Sequence, residues 1–326
     1  SAFEGLHERG GEWRIENARI QWEILDAFRE AAFEAGIPKT DDFNRGDNEG
    51  CGYFHVNQKM GRRWSSARGF LKPVMSRGNL RVETGCLAEK IEFAGMRATG
   101  VRFRQNGETK FARCRGEVIL AAGALGSIQM LLLSGVGPSA HLAEHGIATI
   151  LDKPGVGENL QDHLQLRMIH KVEGVTTLNE TYKSLVNRAL MGLDYVLRRR
   201  GPLTMAPSQL GAFTKSDPHQ ERANIQFHVQ PLSLDKFGDP LHDFPAFTTS
   251  VANLRPTSRG FVRLRSADPA DKPVIQPNYL STGEDRQVAV DSIRVARNII
   301  AQPALQAYQP VEYLPGEQVS SDDEAA

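Results

Sequence analysis

The sequence contains few cysteines and no excess of charge of either sign. Its three cysteines, Cys51, Cys86 and Cys114, are widely spaced, with no Cys-x-x-Cys pair and no histidine at ligand spacing. Neither a disulfide framework nor a metal site is therefore predicted. The 39 Lys and Arg residues equal the 39 Asp and Glu residues and form no basic stripe, which argues against a nucleic-acid partner. This cysteine usage is typical of a reducing compartment, so we expect a cytoplasmic location.

Uninterrupted apolar runs of membrane-spanning length are also lacking. Residues 118–143 carry no Asp, Glu, Lys or Arg, but their four glycines, Gln129 and Pro138 divide them into a strand, a turn and a helix. We therefore predict no transmembrane segment. Residues 1–14 do not resemble a signal peptide, because charged residues precede any apolar run. A hydrophobic content of 40% with 24% charged residues is ordinary for a globular protein and excludes intrinsic disorder.

Apolar periodicity divides the chain into helices and strands. The helices are predicted at 21–35, 125–133, 182–199 and 285–300. The strands are predicted at 79–93, 98–103, 116–122, 210–214, 224–230, 247–254 and 261–265. The glycine-rich stretch 40–63 is interpreted as a loop that either crosses a surface or covers a ligand. The acidic residues 317–326 are expected to be frayed.

These elements predict an α+β (mixed α/β) fold in which an antiparallel sheet is flanked by helices. Strand 116–122 would lead through Gly123 into the helix at 125–133. Such a strand, glycine turn and helix present backbone N–H groups at a helix N-terminus, where part of a dinucleotide can bind. Taken alone, however, this unit is equally consistent with simple packing of a strand against a helix.

A longer run of residues carries a family resemblance. The sequence GALGSIQMLLLSGVG at 123–137 is followed by PGVGENLQDH at 154–163. This run closely resembles the second signature of the glucose/methanol/choline oxidoreductases, although Ile128 stands where the signature usually has Pro or Ser. Further stretches resemble bacterial choline-dehydrogenase-like members of the family, namely WSSARGFL at 64–71, NLRV at 79–82, SRGFVRL at 258–264 and PNYL at 277–280.

The resemblance implies a domain organisation and an FAD cofactor. Residues 76–158 correspond to the inner part of an FAD-binding domain, and residues 1–75 with 159–326 correspond to a substrate-binding domain. In the family, FAD takes a hydride from an alcohol carbon, while the protein positions the reactants. The family's adenine contacts map to Ala88 and its ribose contacts map to Ala122 and Gly123. Ala88 also fits an ordinary buried strand position.

Two functional parts of a complete family member are not found in the sequence. No Gly-x-Gly-x-x-Gly motif for a pyrophosphate occurs, and Gly155-Val-Gly157 leads into Glu158 instead of a third glycine. None of the nine histidines matches the family's catalytic histidine, and His163 corresponds to a structural position. We therefore predict no catalytic residue within the chain, and little FAD binding or activity when the chain is isolated.

Candidate substrate contacts come from the strands beyond residue 200, and they are Gln209, Phe213, Phe227, His228 and Phe247. Gln209 matches a position that is Glu in choline-oxidising relatives, so the resemblance implies a neutral primary alcohol. Alternatively, Gln209 bonds a neighbouring strand and has no role in substrate choice. His228 either lines the substrate cavity or is a hydrogen-bonded histidine on the far face of the sheet.

The leading hypothesis is thus a fragment of an FAD-dependent alcohol oxidoreductase that converts a primary alcohol to an aldehyde. The electron acceptor is not indicated by the sequence. The alternatives are a non-catalytic binding module related to the substrate domain and a family member with lyase chemistry. Apolar surface that other segments would cover predicts self-association of the isolated chain.

Overall fold

A computed structural model describes residues 10–204, 208–236 and 238–316. The tail 317–326, for which fraying was predicted, lies outside the described residues. The chain divides into two compact units. Unit 1 comprises Ser1–Arg77, His163–Arg255 and Glu284–Ala326, and unit 2 comprises Gly78–Asp162 and Pro256–Gly283.

The described residues form helices and strands that are numbered here in chain order. The strands are β1 Gly50–Tyr53, β2 Gln58–Lys59, β3 Arg62–Arg63, β4 Cys86–Ala94, β5 Arg97–Gln105, β6 Glu108–Arg113, β7 Val136–Gly137, β8 Leu151–Asp152, β9 Glu158–Leu160, β10 Gln165–Lys171, β11 Leu210–Thr214, β12 Ile225–Gln230, β13 Ala246–Asn253, β14 Gly260–Arg263, β15 Val274–Gln276 and β16 Val311–Leu314. The helices are α1 Glu23–Glu34, α2 Gly123–Leu133, α3 Ser139–Glu144, α4 Leu178–Lys183, α5 Leu185–Arg198, α6 Gly283–Ile300 and α7 Pro303–Gln306.

Unit 1 is organised around a six-stranded antiparallel sheet in the order β1-β11-β12-β13-β10-β16. One face of this sheet packs against the apolar sides of α1 and α6. Phe28 of α1 contacts Phe247 of β13 edge to face, with ring centroids 6.4 Å apart. Ile293 and Ile299 of α6 belong to the same buried cluster. The predicted antiparallel sheet flanked by helices is therefore confirmed.

Unit 2 combines the three-stranded meander β4-β5-β6 with α2 and the small sheet β15-β14-β9. The edge strand β4 is tied to the C-terminal end of α2, because the Ile91 N–H donates to Ser134 Oγ at 2.8 Å. A small apolar cluster joins Leu132 of α2 to Leu142 of α3 and Leu264. The predicted helix therefore packs on the strands that precede it in sequence.

One predicted strand is wrong. Residues 116–122 form no strand, and Ile119 is 80% exposed. The stretch has the apolar composition of a buried strand, but no described strand pairs with it. A strand depends on a neighbour for its hydrogen bonds, so composition alone does not fix one.

Other boundaries also differ from the sequence prediction. The predicted strand at 79–93 begins only at Cys86, and the predicted helix at 182–199 is interrupted at Ser184, whose hydroxyl caps α5 by accepting the N–H of Asn187. The predicted loop 40–63 contains β1, which extends the main sheet. Its glycines permit this, because a Cβ at Gly52 would lie 2.0 Å from the carbonyl oxygen of Thr40.

Residues 256–283 cluster with unit 2, whereas the sequence analysis placed them with the substrate-binding residues 159–326. The reason is strand pairing, because β14 lies between β9 and β15 and is bonded to both. Assigning unit 2 to FAD binding and unit 1 to substrate binding stays a prediction. Among the described residues, no helix combines the length and the apolar character needed to cross a membrane.

Candidate functional site

The six-stranded sheet of unit 1 has one apolar face and one polar face. Alternate residues of β12 illustrate the division, since Ile225, Phe227 and Val229 are fully buried in the core beneath α1 and α6. The intervening side chains therefore lie on the other face, because successive residues of a strand point to opposite sides. We call this second side the polar face; it carries Gln226, His228, Gln230, Thr248, Ser250 and Arg167.

One row of the polar face crosses four strands. Gly211, His228, Ser250 and Arg167 are neighbours in register on β11, β12, β13 and β10. The Arg167 guanidinium is held by backbone carbonyls, with Nη2 donating to the oxygen of Leu234 at 3.0 Å. Removal from water lowers the pKa of Arg167 from its usual value. The row thus presents an imidazole, a hydroxyl and a guanidinium on one surface.

Aromatic rings cover one side of this row. Phe54 lies directly over Gly211, where a Cβ would be only 2.1 Å from Phe54 Cζ. Its ring is 5.6 Å from the His228 ring and 5.3 Å from the Phe43 ring, and Phe43 lies 5.0 Å from Phe213. A glycine inside a strand often marks such a close approach. The arrangement gives the polar face an apolar, aromatic border.

The environment of His228 favours its neutral form. Burial lowers its pKa below the ordinary value, and the nearby charge of His163 lowers it further. A neutral imidazole can both donate and accept a hydrogen bond. Strand alternation places His228 on the polar face, because its neighbours Phe227 and Val229 point into the core on the other side of the sheet. His163 itself is exposed.

Gln209 is a polar residue of this face whose side-chain oxygen lacks a hydrogen-bond partner in the described part of the chain. It continues β11 by one residue, donating its N–H to the Val229 carbonyl at 3.3 Å and accepting the Phe54 N–H at 2.9 Å. Alternation places its side chain on the side of Gly211. The side chain is buried, and its Oε1 has no hydrogen-bond partner among the described residues. An unsatisfied buried acceptor costs about 1–3 kcal/mol, so a donor is favoured at this position.

The five candidate substrate residues do not form one group. Gln209, Phe213 and His228 share the polar face, whereas Phe227 and Phe247 are fully buried on the apolar face. Phe247 stacks on His170, with centroids 5.4 Å apart, and contacts Phe28 of α1. Phe227 is one residue away from His228, and Phe247 is three residues away from Ser250. Both rings therefore point to the opposite side of the sheet, into the core. Phe227 and Phe247 are thus packing residues in this fold.

The residues predicted to contact FAD lie in unit 2. Ala88 is exposed on the edge strand β4, at a bulge in its pairing with β5. It is therefore not the buried strand residue that the alternative interpretation required. An edge strand leaves backbone N–H and C=O groups free for another partner. Ala88 is consequently in a position to offer main-chain contacts to a ligand.

Ala122 and Gly123 form the turn at which α2 begins. Gly123 has φ of 76°, a conformation that side-chain-bearing residues rarely adopt, and no atom lies within 4 Å of the position a Cβ would take. No side chain caps the helix N-terminus at Ala122. The open space and the uncapped N–H groups are compatible with one end of a dinucleotide. The residues therefore fit the adenosine part of FAD, while the sequence contains no pyrophosphate motif.

A second group of potential ligand side chains occurs on α3. His141, Glu144 and His145 bring their ligand atoms within 4.8 Å of one another. However, His141 Nε2 accepts the Leu264 N–H at 3.0 Å, so the ring proton is on Nδ1, which faces Glu144 Oε2 at 3.2 Å. Both nitrogens of His141 are thus engaged in hydrogen bonds. The group is suited to holding α3 against the strand region at Leu264.

Sequence reasoning missed several residues of the polar face. Phe43 and Phe54 lie in the stretch that was interpreted as a loop, and Arg167 and Ser250 were not singled out. The useful signal was strand parity. Once His228 is taken as a ligand-facing residue, alternation along β12 and register with β13 select Ser250 and exclude Phe227.

Two regions of the chain match a known family of oxidoreductases. The GMC oxidoreductase N-terminal region matches residues 12–165, and the corresponding C-terminal region matches residues 256–326. The chain belongs to the GMC oxidoreductase family. FAD is the cofactor of this family. The resemblance stated from the sequence is therefore confirmed.

Individual relatives cover nearly the whole chain. An alcohol dehydrogenase [acceptor] from Pseudomonas putida is 39% identical over 98% of this chain and 58% of its own length. The mitochondrial choline dehydrogenase of Homo sapiens is 37% identical over 96% of this chain and 53% of its own length. The crystal structure of pyridoxine 4-oxidase from Mesorbium loti superposes with a TM-score of 0.84 at 25% identity, covering 98% of this chain and 59% of that one. The chain thus spans just over half the length of the curated relatives.

Proposed function

We propose that the chain supplies the substrate-binding sheet and part of the FAD site of an enzyme that oxidises a primary alcohol to an aldehyde. The unsatisfied buried amide oxygen of Gln209 is the observation that carries the proposal. When bound, FAD accepts the hydride from the alcohol carbon. The residues of this chain bind and orient the alcohol and exclude water from it.

The polar face is suited to a hydroxyl-bearing ligand. The side chain of Gln209 would have to turn to bring its covered Oε1 to the alcohol, where the oxygen would accept a hydrogen bond. The lowered pKa of His228 keeps its imidazole neutral, so that it can donate or accept as well. The rings of Phe43, Phe54 and Phe213 offer apolar surface for the carbon chain. Closed aromatic surroundings strengthen polar contacts because they exclude water.

We propose further that the alcohol is neutral. A quaternary ammonium group that leaves water needs a counter-charge, and Gln209 provides none. A cation-π contact with an aromatic ring such as Phe213 would return only about 0.5–2 kcal/mol. Choline is therefore a poor substrate compared with a neutral alcohol of similar size, although choline dehydrogenases are among the relatives.

FAD would be held in part by unit 2. The open backbone around Gly123 and the uncapped start of α2 support contacts to the ribose, and the exposed edge at Ala88 supports contacts to the adenine. The pyrophosphate cradle and the proton-accepting histidine are proposed to come from segments that match other parts of the longer relatives. We propose a cytoplasmic, reducing location, consistent with three free cysteines.

A charge change at Gln209 in the complete enzyme tests the choice of substrate. We expect Gln209→Glu to raise kcat/KM for choline, relative to a neutral alcohol, about tenfold or more, because the new carboxylate would face the ammonium group. Gln226→Glu is the matched control, because it adds the same charge to the same face. Gln226 lies on β12, four residues away from the position opposite Gln209. A preference for choline in the unmutated enzyme would refute the proposal, and so would equal effects of the two substitutions.

The alternative of a non-catalytic binding module predicts a different result. A complete polypeptide of that kind would bind small alcohols without reducing a dye, whereas the proposed oxidoreductase reduces the dye in step with aldehyde formation. Lyase chemistry would consume substrate with no dye reduced. Measuring dye reduction and aldehyde together therefore separates the three functions.

A further inference from the structure

The connection from β12 to β13 returns across the polar face of the sheet. Thr248 and Arg167 both lie on that face, and each donates a hydrogen bond to a backbone carbonyl of this connection. Thr248 Oγ1 donates to the oxygen of Leu232 at 2.7 Å, and Arg167 Nη2 donates to the oxygen of Leu234 at 3.0 Å. Residues 231–235, which we call the wall segment, therefore lie over β13 and β10.

Burial agrees with this placement of the wall segment. Ile169 of β10 is two residues from Arg167, so its side chain lies on the polar face as well. Ile169 is nevertheless fully buried, and so is Ser233 in the middle of the wall segment. An uncovered sheet would leave Ile169 in contact with water. The wall segment is thus part of the protein that covers this end of the polar face.

A chain of side-chain hydrogen bonds also fixes the wall segment. Asn179 of α4 accepts the Ser233 N–H at 3.0 Å, and its Nδ2 donates to Ser233 Oγ and to the Phe244 oxygen, both at 2.9 Å. His242 Nε2 faces Asp235 Oδ1 at 3.1 Å. Because a carboxylate only accepts, Nε2 of the neutral ring carries the hydrogen, and Nδ1 accepts the Ser233 hydroxyl at 2.9 Å. The wall segment therefore has one defined position.

The Arg167 guanidinium joins the wall segment to the sheet at two successive carbonyls. Besides its bond to Leu234, it donates through Nη1 to the oxygen of Asp235 at 3.3 Å. A planar guanidinium holds its donors in a fixed geometry, which a lysine ammonium does not. Arg167 shares its row with Ser250 and His228. The contact therefore fixes the wall segment about two strand spacings, or about 10 Å, from the backbone of His228.

We propose that the wall segment forms one side of the substrate groove and that Arg167 is the positioning residue that holds it there. The aromatic border of the polar face, with Phe54 over Gly211 of β11, forms the opposite side. His228 of β12 then lies on the floor between the two sides. The inference rests on the proposed function, which places the alcohol on this face.

The spacing of the strands sets the width of such a groove. Where the wall segment bonds Thr248 of β13, two strand spacings separate it from β11, or about 10 Å between backbone centres. Van der Waals contact on both sides leaves about 6 Å. This width accepts an unbranched carbon chain more readily than a branched one. We therefore expect the substrate to be an unbranched primary alcohol.

Amide hydrogen exchange of the whole chain tests the tether without any activity. The Ser233 N–H exchanges when the wall segment leaves Asn179, so its exchange rate measures opening. We expect Arg167→Met to speed this exchange about tenfold or more, the factor for losing one hydrogen bond to a charged donor. Arg297→Met is the matched control, because it also removes two guanidinium bonds, those to Glu312, but on the helical face of the sheet. It should leave Ser233 exchange unchanged.

Kinetics of the complete enzyme test the groove. Arg167→Met should raise KM for n-hexanol about fivefold or more and change kcat less than about twofold, because the wall segment positions the alcohol and touches no reacting atom. The ratio of kcat/KM for n-hexanol to that for its branched isomer neohexanol should fall about fivefold or more. A merely structural defect would lower both substrates equally. Arg297→Met should leave the ratio unchanged.

A second variant keeps the test independent of Arg167. Thr248→Val removes the other bond from the sheet to the wall segment and keeps a side chain of similar shape. It should change Ser233 exchange and the ratio of the two alcohols in the same directions. If Arg167→Met does not fold, Thr248→Val decides the same question.

The outcomes distinguish the groove from the activity. Unchanged Ser233 exchange in the variants overturns the positioning role. Faster exchange with an unchanged ratio, in an enzyme that still oxidises both alcohols, overturns the groove and leaves the proposed function intact. A preference of the unmutated enzyme for neohexanol also overturns the groove. If the unmutated enzyme oxidises neither alcohol, the proposed function fails and the groove fails with it.

Discussion

The ring of Phe54 lies on the backbone of Gly211, in a space that only a residue without a side chain can leave open. A Cβ at position 211 would be 2.1 Å from Cζ of the ring and 2.7 Å from Cε1. Gly211 also neighbours His228 in register, and the same ring is 5.6 Å from the imidazole. Gly211 thus leaves the space that the Phe54 ring occupies at the aromatic border of the polar face.

Adding a methyl group at this position should damage the fold measurably. We expect Gly211→Ala to lower the free energy of unfolding by about 1–3 kcal/mol, because Phe54 must move and its contacts are lost. Urea denaturation measures the change. Gly192→Ala in α5 is the control: its added Cβ meets no atom within 4 Å, so it should stabilise by about 0.5–1 kcal/mol. Equal effects would contradict this account of Gly211.

Removing the unsatisfied amide of Gln209 should separate stability from function. Gln209→Met keeps the size of the side chain and deletes the orphaned acceptor, so the free energy of unfolding should stay the same or rise by about 1 kcal/mol. In the complete enzyme, kcat/KM for the alcohol should fall. Gln230→Met should instead destabilise, because the Gln230 amide donates to Ser208 Oγ at 2.9 Å. Loss of stability in Gln209→Met would contradict this account of the Gln209 amide.

Buried His170 should make the protein sensitive to mild acid. Burial lowers its pKa to about 4 from the ordinary 6.5, while the Glu312 carboxylate opposes part of this shift. The unfolded chain therefore binds the proton more readily between these two values. Stability is full above pH 6.5 and falls as the pH is lowered toward 4, by about 3 kcal/mol from this group.

His170→Phe should remove most of this dependence, because a phenyl ring can keep the stack on Phe247. The measurement is the urea midpoint at pH 7.5 and at pH 5. His228 also has a lowered pKa, so a smaller loss of stability between pH 7.5 and pH 5 should persist in the variant. A variant with the original slope would show that His170 is not the responsible group.

The isolated chain should carry little or no FAD and should not oxidise alcohols. Its sequence has no pyrophosphate motif and no histidine that matches the family's catalytic one, and loss of a positioned acid or base alone typically costs a factor of about 100 to 10,000. The absorbance spectrum of the purified chain and a dye-reduction assay measure both expectations. A stoichiometric flavin band, or dye reduction with any alcohol, would contradict them.

Local patterns in the sequence were sufficient for several of the longer helices and strands, whereas β1, β6, β10 and β16 were not predicted. The helix at 21–35 and the strand at 210–214 were predictable because apolar periodicity records which side of each element is buried. The family signature at 123–163 could likewise be recognised from the sequence, because its glycines occupy turns that are formed by neighbouring residues. Gly123, for example, adopts a positive φ that favours glycine.

The site itself was less predictable. Gln209, Phe213 and His228 share the polar face, while Phe227 and Phe247 belong to the core, although all five had been grouped together. The side that faces a ligand depends on register between strands far apart in sequence, which the composition of one strand does not record. A shift of one residue would exchange the two faces.

The sequence by itself determined the family, the antiparallel sheet and the principal helices, because these follow from short-range periodicity and a contiguous signature. Tertiary structure decided the rest. In the described part of the chain it left 116–122 without a partner strand, turned the apolar side of α5 outward, and laid Phe54 on Gly211. Each of these depends on what another segment does or does not cover, and burial is a property of the assembled fold that no single stretch of sequence contains.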